Sequence, residues 1–157
     1  MRVSRFGLLN GSCFEGDWEL NGLEHKPNNL LPIVMEKIMG RREKVEVFGT
    51  DYDTRDGSCI RDYIHVSDLA DAHLKALDYL KHENQDLVIN LGTSNGLSVL
   101  EIMQIAREVS GQEFNYTLGP RRAGDPAVVL AKAELAEELL DWKPKHSDAN
   151  TLLETSL

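Results

Sequence analysis

The sequence predicts an α/β fold. Short alternating runs at 45–48 and 61–66 read as strands. Leu87-Val88-Ile89-Asn90-Leu91 is a short apolar, β-branched run that suits a strand buried on both faces, as in a parallel sheet. Between and after them, apolar residues recur at helical spacing over 29–39, 68–81 and the segment that begins at Ser98.

In chain order, residues 3–9 allow a strand that Gly7 weakens, and 11–27, with Gly11, Gly16, Asn21, Gly22 and Pro27, read as a loop. Asn29 is the expected N-cap of the first helix, with Pro32 tolerable in its first turn and Gly40 as its stop. Leu31, Val34, Met35, Ile38 and Met39 form its apolar stripe, and the methionines read as core filling. The second helix is expected from Asp68 to Lys81 with Ser67 as cap and Leu69, Ala72, His73, Ala76, Leu77 and Leu80 on one face, His73 packed there. Ser98-Val99-Leu100-Glu101 is a capping box, Leu97 and Ile102 make the matching staple, and Gly111 ends that helix. A strand over 114–118, a loop over 120–126 and amphipathic helices over 132–140 and 148–155 complete the chain.

The stretch from Val45 to Val66 carries the richest chemistry. In its second run Arg61, Tyr63 and His65 share one face, and Asp62, Ile64 and Val66 the other. A cation, a phenol and an imidazole on one side of a strand suit an anionic, ring-bearing ligand, since a guanidinium fork matches phosphate oxygens. The competing reading is an exposed strand face with ordinary polar residues. Asp51 to Gly57 fails as a calcium loop: Arg55 occupies the fifth position, the glycine comes one place late, and Asp62 stands at position twelve. The five histidines are scattered, with no metal-ligand spacing, and no nucleophile elbow occurs.

The chain has 157 residues, 41% hydrophobic and 27% charged, enough for one domain with a core. A net charge of −9 argues against nucleic acid as a partner but leaves room for a small phosphate ligand held by two or three arginines. Cys13 and Cys59 read as reduced thiols of a cytoplasmic protein. No apolar run approaches the ~20 residues of a membrane span, and the first ten residues do not read as a secretion signal.

GTDYDTRDGSCIRDYIHVSDLADAH, together with PNNLLPIVMEKIMGRRE, INLGTSNGLSVLEI and GPRRAGDP, resembles the second half of UDP-glucose 4-epimerases, members of the extended short-chain dehydrogenase/reductase family. Four motifs in the right order over most of the chain carry the likeness. The resemblance implies the C-terminal part of that fold: a small substrate-binding α/β domain plus remnant strands and helix of a Rossmann sheet. It implies one incomplete domain over 1–157, without the N-terminal NAD-binding half. It assigns the diphosphate of a UDP-sugar to Arg61 and Arg122, the ribose hydroxyls to Asp125, and the uracil edge to the backbone of Val47 and Phe48, with Phe48 beside the ring. Asn29 and Leu30 would touch the nucleotide-sugar where the first helix turns its N-terminus to the phosphates, and Tyr63 would stand with Arg61. The family's Arg-Tyr-Phe-Asn motif is altered here to Arg5-Phe6-Gly7-Leu8, and an asparagine arrives only at Asn10.

Two family signatures do not occur. No glycines are spaced as GxGxxG or GxxGxxG. Tyr52, Tyr63, Tyr79 and Tyr116 are followed four residues later by Asp56, Ser67, Glu83 and Pro120, never by lysine. The complete family enzyme uses NAD to oxidise and re-reduce C4 of the sugar, and this chain alone is expected to bind no NAD and to be inactive. The alternatives are a non-catalytic nucleotide-sugar-binding or oligomerisation module, and half of a related nucleotide-sugar dehydratase, reductase or decarboxylase. With no further strands to pair with, Leu87–Leu91 is expected to leave apolar surface and open edges, and so to require a homodimer, a strand rearrangement or an N-terminal partner chain.

Overall fold

The structure, a computed structural model, describes residues 4–7 and 29–157. The loop expected over 11–27, Asn10 and Cys13 lie outside them. Among the described residues, seven strands form three small sheets that pack with five helices over two apolar cores.

β1 (Ser4–Gly7) and β4 (Leu87–Asn90) pair in parallel, with Phe6 opposite Ile89. Leu87 and Ile89 are buried, but Val88 is 68% exposed and Asn90 is exposed too. The run is thus buried on one face only. Its second face, with Val88 and Asn90, looks outward, and among the described residues β4 pairs with β1 alone.

β2 (Val45–Phe48) runs parallel to β6 (Tyr116–Gly119), with Phe48 opposite Gly119. The third sheet is built on β3, which is only Ile60–Arg61. It is flanked by β5 (Leu97–Ser98), antiparallel, and β7 (Val128–Val129), parallel.

The strand expected over 61–66 stops at Arg61, yet its alternation is real. Tyr63 enters the core formed by α1 (Leu30–Ile38), β2, α3 (Val99–Ser110) and α5 (Ala149–Glu154). Ile64 enters the core formed by α2 (Val66–His82), β4, α4 (Glu134–Leu140) and Trp142. Asp62, Tyr63, Ile64 and His65 are all buried, so the segment divides two interiors and presents no open wall.

Helix ends follow local chemistry with two corrections. α2 starts at Val66, and its cap is His65, whose Nδ1 accepts from the Ser67 backbone. Asn29 caps α1 by position, its carbonyl accepting from Ile33 N, but makes no side-chain cap bond. On α2, Ala72 and Ala76 are buried while Leu77 is 52% exposed, so the inward stripe is narrower than the periodicity indicates. His73 is exposed against Phe6, ring centroids 4.6 Å apart.

Asp68 fastens the C-terminal segment to α2. Its carboxylate accepts from Lys145 N and His146 N, both at 2.9 Å, and from the Ser147 hydroxyl, while its carbonyl accepts from Trp142 Nε1 at 3.0 Å. His65 adds contacts to Ser147 and Thr155.

The α3 capping box forms as the sequence predicts and extends outward. Ser98 Oγ accepts from Glu101 N, and Ser98 N donates to Glu101. Arg55 holds both Glu101 oxygens and donates to Gly96 O. Asp56 accepts from Ser98 Oγ and from Ser58 N and Oγ. The Arg55 guanidinium holds the Glu101 carboxyl below its ordinary range despite some burial. For Asp56 burial pushes upward, but the Ser98 and Ser58 bonds outweigh it and the net shift is downward. Carboxylates depressed in the folded state stabilise it above their unfolded pKa of about 4 and lose that contribution as pH falls through the folded value. The melting temperature is therefore expected to fall as pH drops below about 4, less steeply in Glu101→Gln than in wild type. Parallel melting curves for the two proteins would remove Glu101 from the acid response.

Candidate functional site

The β2–β6 sheet and the three-stranded sheet are joined by one loop. Residues 120–126 leave β6 beside Phe48 and reach β7 beside Arg61. β2 and β6 run parallel, and Phe48 and Gly119 stand at their carboxyl ends, where ligands of open α/β sheets collect. A cavity of about 500 Å³ lies at the opposite ends of the same strands, lined by Lys44, Val45, Tyr116 and Thr117, and does not coincide with this loop.

Each arginine of the junction already has a protein partner. Arg61 Nη2 pairs with Asp125 Oδ1, and Arg61 Nη1 donates to Ile60 O at 2.8 Å and more weakly to Ala127 O at 3.5 Å. The Arg61 side chain is 16% exposed and that of Asp125 32%, so the pair is half-shielded rather than solvated. The second Asp125 oxygen lies 3.9 Å from the buried Cys59 sulfur. Asp125 N donates to Arg122 O, closing the turn that carries both. The Arg122 guanidinium sits 4.0 Å from the centroid of the Phe48 ring, within cation–π reach.

Arg121 clamps the other side. Its Nε donates to Asp51 Oδ1 at 2.7 Å and its Nη2 to Asp51 O, and its guanidinium lies 4.2 Å over the Tyr52 ring. The Arg121 guanidinium holds the exposed Asp51 carboxyl below its ordinary value. Beneath it Tyr52 is 7% exposed, and its hydroxyl has no hydrogen-bond partner among the described residues. Gly49 makes this packing feasible: its φ is +76°, and a Cβ there would strike the Tyr52 ring and lie 2.9 Å from Arg121 Cγ.

Of the residues singled out in the sequence, Phe48, Arg61, Arg122 and Asp125 come to this junction. Val47 is fully buried beneath it, and only its strand backbone takes part in the sheet. Tyr63 lies behind Arg61 in the core, where burial pushes its phenol pKa far above the ordinary value. Asn29 is exposed and Leu30 half-buried at the start of α1. Arg121, Asp51, Tyr52 and Cys59 were not expected as a group. Their acids and turn residues were visible, but the partners lie about seventy positions away, and no local pattern encodes that pairing. Among the described residues no three His, Cys, Asp or Glu side chains gather as a metal site. No described helix is long and apolar enough to cross a membrane.

Relatives and solved structures share this architecture. The UDP-glucose 4-epimerase of Lacticaseibacillus casei is 45% identical over 136 residues, which are 86% of this chain and 41% of the relative. That of Halalkalibacterium halodurans is 46% identical over 134 residues, 85% of this chain and 40% of the relative. The chain therefore spans about two fifths of the length of the curated relatives it matches. The crystal structure of a UDP-glucose-4-epimerase from Stenotrophomonas maltophila with bound NAD and formylated UDP-arabinopyranose superposes with a TM-score of 0.94 at 36% identity, over 99% of this chain and 46% of that one. The Bifidobacterium longum enzyme in complex with NAD+ and UDP gives 0.85 at 35% identity, over 99% and 46%. The α/β architecture is thus that of one part of the epimerase fold. Residues 5–92, more than half of the chain, match the model of the NAD dependent epimerase/dehydratase family, and the chain belongs to that family.

Proposed function

We propose that this chain is the nucleotide-sugar-anchoring, C-terminal part of an NAD-dependent UDP-glucose 4-epimerase. The observation that carries the reading is the convergence of Phe48, Arg61, Arg122 and Asp125 on one loop at the carboxyl ends of β2 and β6. In this reading Arg61 and Arg122 take the diphosphate through charge-assisted hydrogen bonds. Asp125 accepts from the ribose hydroxyls, and the strand backbone at Val47 and Phe48 meets the uracil edge. Asn29 and Leu30 bring the α1 N-terminus toward the phosphates. Tyr63 supports Arg61 from the core side. Anchoring the nucleotide holds the sugar while its reacting carbon is oxidised and reduced, so binding energy far from the chemistry positions it.

NAD does not fit the residues present. The glycine-rich turn that brings backbone amides to a pyrophosphate is not in the sequence, and the buried tyrosines 52 and 63 have no lysine four positions on. No hydride step is assigned to this chain, which alone is expected to be inactive. The exposed Val88 face of the β1–β4 pair supports a covering polypeptide, either an N-terminal half or a second copy. The reading places the protein in the cytoplasm.

Calorimetry of the 157-residue chain with UDP, UDP-glucose and NAD tests the proposal. Binding of UDP and UDP-glucose without NAD is the expected result. Binding of neither nucleotide would reduce the chain to a structural remnant, and interconversion of UDP-glucose and UDP-galactose by the pure chain would refute its inactivity.

A further inference from the structure

Of the two arginines that would grip a diphosphate, Arg61 is already engaged by the protein itself. Arg61 is engaged by Asp125, in a pair with side chains only 16% and 32% exposed, whereas the Arg122 guanidinium stacks on the Phe48 ring at 4.0 Å, a contact that leaves its in-plane donors to an anion. A guanidinium fork has two directions of good approach to an oxyanion, and one of Arg61's is filled by a carboxylate while Nη1 faces Ile60 O. An anion that takes Arg61 must therefore displace Asp125 or accept a carboxylate as neighbour at short range, where two negative charges repel strongly in a half-shielded setting.

Resting on the nucleotide reading above, we propose that Asp125 is an internal competitor for Arg61 that makes the site reject phosphate anions carrying no ribose. A nucleoside diphosphate compensates the displaced carboxylate, because vicinal ribose hydroxyls are hydrogen-bond donors. Inorganic pyrophosphate offers no donor and leaves the carboxylate facing a polyanion. Asp125 thus reads the sugar twice: by accepting from it, and by excluding ligands that lack it. Selectivity built from repulsion of the wrong ligand as well as attraction of the right one is a general route to discrimination.

The experiment is titration calorimetry at fixed ionic strength with inorganic pyrophosphate and with UDP, on wild type, Asp125→Asn and Asp53→Asn. Asn at 125 keeps an acceptor for ribose and removes the charge. It is expected to bind pyrophosphate about tenfold more tightly than wild type, the scale of one charge-assisted bond released. UDP affinity is expected to rise less, or to fall, so the preference for UDP over pyrophosphate narrows. Asp53, exposed in the turn after β2, changes the net charge equally and is expected to leave that preference alone. Unchanged or weaker pyrophosphate binding by Asp125→Asn overturns the proposal, as does an equal gain in Asp53→Asn. Failure of wild type to bind UDP, with the pyrophosphate gain intact, would sink the nucleotide reading and support the competitor role. Asp125→Ala, with the same expected sign, replaces Asp125→Asn if far-UV circular dichroism shows that variant unfolded.

Discussion

Arg61→Ala is expected to weaken UDP binding by about a hundredfold, corresponding to the ~1.5–3 kcal/mol of a hydrogen bond to a charged group. Two effects add. The diphosphate loses a guanidinium donor, and Asp125 loses its ion-pair partner, so an unneutralised carboxylate faces the incoming phosphates. Arg61→Lys is expected to fall between, because an ammonium restores the charge without the planar fork. Calorimetry measures both. An Arg61→Ala affinity within about threefold of wild type would take Arg61 out of the binding site.

Asp62→Ala is expected to be among the most destabilising single changes in the chain, at about 2–6 kcal/mol for two orphaned backbone donors. Its side chain is 1% exposed and accepts from Thr93 N at 2.9 Å, from Thr93 Oγ1 and from Ala131 N at 3.1 Å. Those bonds tie β3 to the turn after β4 and to the segment after β7. Gly92 packs so closely that a Cβ there would lie 2.6 Å from Ala131 O. Removing the carboxylate strands two backbone amides away from water and leaves a void that neighbours this tight cannot fill, each orphaned donor costing about 1–3 kcal/mol. The melting temperature is expected to drop by roughly 10 °C, and the urea midpoint to fall without a change in slope. A loss below about 1 kcal/mol would mean that water or a neighbour takes over the bonds. Because Asp62 is covalently next to Arg61, the same variant is expected to weaken UDP binding.

How far the sequence could be read depended on how local each determinant is. The capping box at Ser98 and Glu101, the alternation of β2 and the α1 stripe of Leu31, Val34, Met35 and Ile38 are encoded within a few residues and appear where they were expected, whereas Met39, expected in that stripe as core filling, is the C-cap of α1 and 45% exposed. β5 and β7 are two residues long and exist because β3 offers them a partner, so nothing near them announces a strand. The 61–66 run misleads for a related reason. Alternation there marks two buried sides, with Asp62 satisfied by amides some thirty and seventy positions away. The cap at His65 was hidden by Ser67, the better capper by residue type, whose own backbone instead donates to the imidazole. Leu77 and His73 match the helical period but face outward, because periodicity locates a stripe and not its width. At the site, family likeness picked out Arg61, Arg122 and Asp125. That two of them are bound to each other, 64 positions apart, had no trace in the linear pattern.

The fastening of Asp68 to residues 145–147 has a practical consequence for any shortened version of this protein. A chain cut after Asp141 would strip a buried acid of every donor it uses and would remove Trp142, Leu152 and Leu153 from both interiors at once. Residues 142–153 act as a keystone: trimming them collapses the arch.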